Sequence, residues 1–119
     1  MHLTDEQIKK ILNGCRLNKR AAQKELYCNF YSYALSIAFR YSNKYDSAAE
    51  IANEAFLKIY QELKNLAPRF DSSEASFMAR LRKLVLNVCI DHKRNSISDE
   101  VMASMDSEHL VVFGKLKTA

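Results

Sequence analysis

Glycine and proline are nearly absent: Gly14, Gly114 and Pro68 are all that 119 residues contain. An all-β sandwich or barrel of this length needs many tight turns, and tight turns want Gly and Pro. A dinucleotide or nucleoside-triphosphate fold needs a glycine cluster at the phosphates, and there is none. Histidine is scarce as well. His2, His92 and His109 form no cluster with each other or with Cys15, Cys28 and Cys89, and no pair of cysteines has zinc-finger spacing. No metal or other cofactor is expected, and the thiols read as buried and reduced. No Ser-His-Asp set suggests itself, so acid–base and nucleophilic catalysis lack a basis and no enzyme is expected. No stretch approaches the ~18 apolar residues of a membrane span. The opening Met-His-Leu-Thr-Asp-Glu has no basic region followed by an apolar run. The expectation is a cytoplasmic protein with no membrane contact.

What is present is a hydrophobic share of 48% and a charged share of 27%, the mix of a globular domain. A chain of this size buries roughly two-thirds of its unfolded surface without staples. The fold class expected is all-α: a compact bundle of about four helices, one short and three long, with a less ordered C-terminal tail.

The formal net charge is +4 and unevenly spread. Residues 78–94 carry Arg80, Arg82, Lys83, Lys93 and Arg94 against Asp91 alone. Residues 95–119 carry two lysines against four acids. A local cationic excess attracts an anionic partner, most commonly nucleic acid; on charge alone a solvated helix face fits equally well.

Periodicity places the helices. Thr4 and Gln7 make a capping box that opens a short helix with Ile8, Ile11 and Leu12 on one edge, and Gly14 as its stop. Asn18 is placed to cap a long second helix to about Tyr41, striped by Ala22, Leu26, Phe30, Tyr33 and Ile37. At 1.5 Å per residue it is about 35 Å long, the spine of a small bundle. Ser42 to Asp46 reads as a connection. Ser47 and Glu50 form a second capping box for a helix to about Leu66, with a seam of Ala52, Phe56, Ile59, Leu63 and Leu66. Pro68 stops it, and residues 67–75 form a loop in which Asp71, Ser72 or Ser73 caps the next helix. That helix is expected over about Glu74–Arg94, burying Phe77, Leu81, Leu84 and Val88. Arg80, Lys83, Asn87, Asp91 and Arg94 recur every three or four residues and share another arc. Beyond Arg94 the periodicity decays into an acidic tail.

Two faces carry the functional information. The third helix presents Glu50, Asn53, Glu54, Leu57, Lys58 and Gln61 outward. Glu50 and Glu54 are one turn apart, but without matching ligands elsewhere they suit a protein contact or a solvated face better than a metal. The fourth helix presents the basic ridge.

The stretch Ser76-Phe-Met-Ala-Arg-Leu-Arg-Lys-Leu-Val-Leu-Asn-Val-Cys-Ile-Asp-His-Lys-Arg94 resembles the "SFxxWLxxIxxNxxIDxxR" signature of region 2 in extracytoplasmic-function sigma factors of bacterial RNA polymerase. Phe77, Leu81, Leu84, Asn87, Ile90, Asp91 and Arg94 fall in register. Upstream, Ser47-Ala-Ala-Glu-Ile-Ala-Asn-Glu-Ala-Phe-Leu-Lys-Ile-Tyr60 resembles the family's "DAEDIxQExFxxxY". The likeness covers roughly residues 6–94.

The resemblance implies a sigma region 2 domain over 1–94 and a linker or tail over 95–119. It implies a module that binds core RNA polymerase and recognises and helps melt the promoter −10 element. Ser47, Glu50, Asn53, Glu54 and Leu57 would meet the clamp-helix coiled coil of the polymerase largest subunit. Arg80, Arg82, Lys83, Lys93 and Arg94 would neutralise phosphates of the non-template strand. Asn87 would read a base edge or bond its own helix. Phe70, Asp71, Ser72 and Ser73 match the loop that captures a flipped-out base; Phe70 would stack on that base or serve as a core staple.

Three departures bear on these roles. Arg80 stands where the family has tryptophan. Ser47 and Ala49 thin the acidic face. The 25 residues after Arg94 leave no room for the family's second domain, so the chain is either a fragment of a longer factor or a one-domain relative. The alternative reading is a sigma mimic that occupies polymerase or an anti-sigma factor without initiating transcription. A third is a sequence-indifferent nucleic-acid-binding bundle.

Overall fold

The computed structural model describes residues 3–65 and 73–104, with side chains through Asn95. Four helices account for nearly all of them: α1 (Asp5–Arg16), α2 (Arg20–Ser42), α3 (Tyr45–Asn65) and α4 (Glu74–Ser104). Among the described residues there is no strand, and no helix is long and apolar enough to cross a membrane. The chain divides into two units, Met1–Cys89 and Ile90–Ala119, and α4 passes from the first into the second.

The first unit is an all-helical body with one core. Thr4 opens α1 as expected: its hydroxyl accepts from the Gln7 amide at 3.1 Å, and Gln7 Oε1 accepts from the Thr4 amide at 2.9 Å. Ile8, Ile11 and Leu12 are buried, with Cys15 one turn on.

The end of α1 differs from expectation. Gly14 does not stop the helix but lies inside it, buried against α2. The stop is Asn18, which takes a left-handed φ of 60° instead of capping α2. The Lys19 amide donates to the Gly14 carbonyl and the Asn18 amide to that of Cys15, each at 2.9 Å. This paired pattern satisfies the carbonyls at the helix end, and asparagine tolerates the left-handed conformation that it requires.

α2 is the expected spine. Leu26, Phe30, Ala34, Ile37 and Ala38 are buried along it. The Phe30 ring lies 4.8 Å from that of Phe77 on α4, and Tyr27 lies 5.0 Å from Phe56 on α3. The Tyr60 hydroxyl of α3 donates to the Gln23 carbonyl at 2.9 Å. One helix thus touches each of the other three.

The α2–α3 connection is only Asn43 and Lys44, shorter than expected. Asn43, at φ 61°, closes α2 with its amide on the Phe39 carbonyl. With the turn completed so soon, α3 starts at Tyr45, and Ser47 lies in its first turn rather than at a cap. The α3 seam of Ala52, Phe56, Ile59 and Leu63 is buried as expected, joined by Ala48, Ile51 and Ala55. Leu66 lies outside the described residues.

Ser73 caps α4: its hydroxyl accepts from the Ser76 amide at 3.1 Å. Phe77, Leu81, Val85, Val88 and Cys89 are buried, while Leu84 is only partly so. α4 continues to Ser104, ten residues beyond the expected end at Arg94. The physical reason is a missing stop: no glycine or proline lies between Pro68 and Gly114. The remainder of the expected tail, 105–119, lies outside the described residues.

Not every thiol is buried. Cys15 and Cys89 are, but Cys28 is exposed on α2, two residues beyond the buried Leu26 and so on another side of the helix.

Candidate functional site

Two faces of the first unit hold the expected functional residues. On α3, Glu50, Asn53 and Leu57 are exposed, Glu54 is half-buried, and Ser47 is partly buried. Leu57 is 66% exposed among polar neighbours, an apolar knob on a charged face. The seam of Ala52, Phe56 and Ile59 takes the other side of the helix, so burial of that seam turns Asn53 and Leu57 outward.

The face is not purely acidic. Lys58 Nζ stands 4.0 Å from the Glu54 carboxylate, one turn along. Both side chains are well solvated, so this pair contributes at most about 0.5 kcal/mol. Asn53 is oriented by a residue of the neighbouring helix α2. The Tyr27 hydroxyl of α2 donates to Asn53 Oδ1 at 2.9 Å. Tyr27 stacks on Tyr31 with ring centroids 4.8 Å apart. Burial, with Tyr31 beside it, raises the Tyr27 hydroxyl above its ordinary range, so it stays protonated and donating at neutral pH. With Oδ1 accepting from Tyr27, the donor side of the Asn53 amide is its Nδ2.

On α4, Arg82, Lys83 and Asn87 are exposed. They share the helix with the buried Phe77, Leu81 and Val85, and packing of that stripe fixes which arc faces outward. Arg80 is different. Its Nη1 lies 3.4 Å from Glu62 Oε1 of α3, so its charge is already compensated within the unit. Glu62 was missed in the sequence. It continues the row of Glu50, Glu54 and Lys58 at steps of four, and that spacing was the available signal. Arg80 is therefore a link between α4 and α3.

Lys93 and Arg94 are exposed and belong to the second unit. Ser73 serves as the α4 cap. Phe70, Asp71 and Ser72 lie outside the described residues. Among the described residues no three His, Cys, Asp or Glu side chains converge as a metal site would need.

Among the described residues two titratable groups are strongly displaced, and both lie in the packed interior. Burial, reinforced by Glu25, pushes the Cys15 thiol up to about 12. Burial, with Cys15 nearby, pushes the Tyr60 hydroxyl up to about 12. Neither is poised for catalysis near neutral pH. What the two faces offer chemically is recognition: an amide and carboxylate surface with one apolar knob, and a cationic surface with one amide.

Comparison with protein-family models, with curated proteins and with solved structures finds no match to this chain.

Proposed function

We propose that this protein is a sigma region 2 module that docks on core RNA polymerase and holds the opened non-template strand of a promoter −10 element. The reading rests on the resemblance of the α3 and α4 sequences to that region. One structural observation supports it most. Arg82, Lys83 and Asn87 of α4, and Glu50, Asn53, Glu54 and Leu57 of α3, are all accessible on one folded unit.

The α3 face suits a basic coiled coil. Carboxylates and an oriented amide one turn apart supply directional acceptors and donors, and Leu57 supplies a centre to desolvate. The α4 face suits unpaired DNA. Arg82 and Lys83 neutralise phosphates, and Asn87 both donates to and accepts from a base edge. The module performs no catalysis itself; its work is differential binding of the opened strand over the duplex. The partners are cytoplasmic, and so is the setting proposed.

A second reading is favoured by one observation: Glu62 already engages Arg80, which trims the cationic ridge. On that reading the chain occupies polymerase or an anti-sigma factor without opening a promoter. Pull-down of core polymerase, with and without promoter DNA pre-melted at −10, separates the two. The first reading expects capture that survives Lys83→Ala, fails in Glu54→Lys and recruits the melted DNA. Capture without DNA recruitment supports the mimic. Capture that is indifferent to Glu54→Lys contradicts docking through α3.

A further inference from the structure

A third surface belongs to neither face. A groove of about 360 Å³ is lined by Ser32, Leu35, Ser36 and Phe39 of α2 and by Tyr45 at the start of α3. The four α2 residues recur at three and one, then three, so they share one stripe. The two-residue turn at Asn43 and Lys44 brings Tyr45 back beside that stripe. Phe39 is 47% exposed and Tyr45 62%. Two large rings open to water on one groove mark an interaction surface more than a packing remainder.

The charges around the rings narrow the partner. Arg40 and Lys44 are exposed, and neither is ion-paired among the described residues. The segment from Phe39 to Tyr45 carries no acid; one exposed acid, Asp46, follows in the first turn of α3 and leaves the two cations in excess. Exposed aromatic rings between cations form the surface on which unstacked bases lie while the backbone is neutralised alongside. A second copy of the chain fits poorly, because two-fold pairing of this corner would set Arg40 and Lys44 near their own counterparts.

We propose that this corner of α2 and α3 is a second contact for single-stranded nucleic acid. A base stacks on Phe39 or Tyr45, the Ser32 hydroxyl donates or accepts a hydrogen bond, Ser36, whose hydroxyl donates to the Tyr33 carbonyl at 2.8 Å, can only accept one, and Arg40 and Lys44 take the flanking phosphates. It adds a site to the strand-holding reading of α4 and does not depend on polymerase docking.

The test is fluorescence anisotropy of a labelled dT oligonucleotide, about 16 nucleotides long to match the larger single-strand sites, with the full chain at several salt concentrations. Phe39→Ala/Tyr45→Ala is expected to weaken binding about tenfold or more while leaving the salt slope in place. Arg40→Gln/Lys44→Gln is expected to flatten that slope by about 1.4, or about 0.7 per lost phosphate contact. An oligonucleotide carrying 5-iodouracil is expected to crosslink to Phe39 or Tyr45. Both rings are on the surface, so the variants should keep the wild-type helical circular dichroism. Unchanged affinity in the well-folded Phe39→Ala/Tyr45→Ala variant overturns the inference, as does the absence of any oligonucleotide binding by the wild type. A wild-type dimer that this variant converts to monomer, with oligonucleotide binding intact, assigns the groove to a second copy and overturns it too. If polymerase capture fails while these losses are seen, the groove stands and the polymerase reading falls.

Discussion

Gly14 sits where α1 packs tightly on α2. A Cβ added there would stand 2.5 Å from Ala22 Cβ, well inside contact distance. Alanine would gain up to about 1 kcal/mol in helix propensity, but forcing the helices apart costs roughly 1–3 kcal/mol. The steric term wins, so Gly14→Ala should lower the urea midpoint at unchanged slope. Adding Ala22→Gly should recover part of the loss. A stabilised Gly14→Ala would show that the contact relaxes freely. The buried thiol and phenol give a second residue-scale expectation. Cys15 and Tyr60 are both raised to about 12 from ordinary values of 9.0 and 10.0. The folded state therefore holds protons that the unfolded state releases. This contribution is complete below pH 9 and is lost as pH climbs toward 12. Urea stability should fall as pH rises from 9.0 toward about 12, and fall less in Cys15→Ala. An equal decline in both would assign the effect elsewhere.

At the scale of elements, the caps decide where helices begin and the absence of stops decides where they end. Ser73→Ala removes the hydroxyl that accepts from the Ser76 amide, and should cost about 1 kcal/mol in chemical denaturation. No measurable loss would mean that another group replaces it. The helical class, the α1 capping box and the α3 seam were legible in the sequence, as was a cap for α4 among Asp71, Ser72 and Ser73, of which the structure shows Ser73, because each depends on residues within a turn or two. The start of α3 was not. Ser47 and Glu50 have capping-box spacing, but the left-handed Asn43 finishes α2 early enough for α3 to begin at Tyr45. Asn18 misled in the same way, since asparagine serves equally as an N-terminal cap and as a left-handed C-terminal residue. The outward residues of the candidate faces followed from periodicity. Their partners, Tyr27 on Asn53 and Glu62 on Arg80, lie 26 and 18 residues away and emerge only from tertiary packing.

At the scale of the molecule, the account assigns separate tasks to separate helices. In the proposed function α3 would meet a protein and α4 a strand, while the packed seams between α2 and its neighbours hold both in one unit. Because the faces lie on different helices and their outward side chains are solvated, each should be removable without unfolding the other. Ordinary surface substitutions change stability by only about 0.5 kcal/mol, so loss of function in such variants can be read as loss of contact. The most direct measurement is the anisotropy of a labelled, opened −10 strand titrated with this chain bound to core polymerase. The expected result is strong binding that Lys83→Ala weakens with a flatter salt slope while polymerase stays captured, and that Glu54→Lys abolishes by releasing the polymerase. Strand affinity on polymerase that both substitutions leave unchanged would contradict the account.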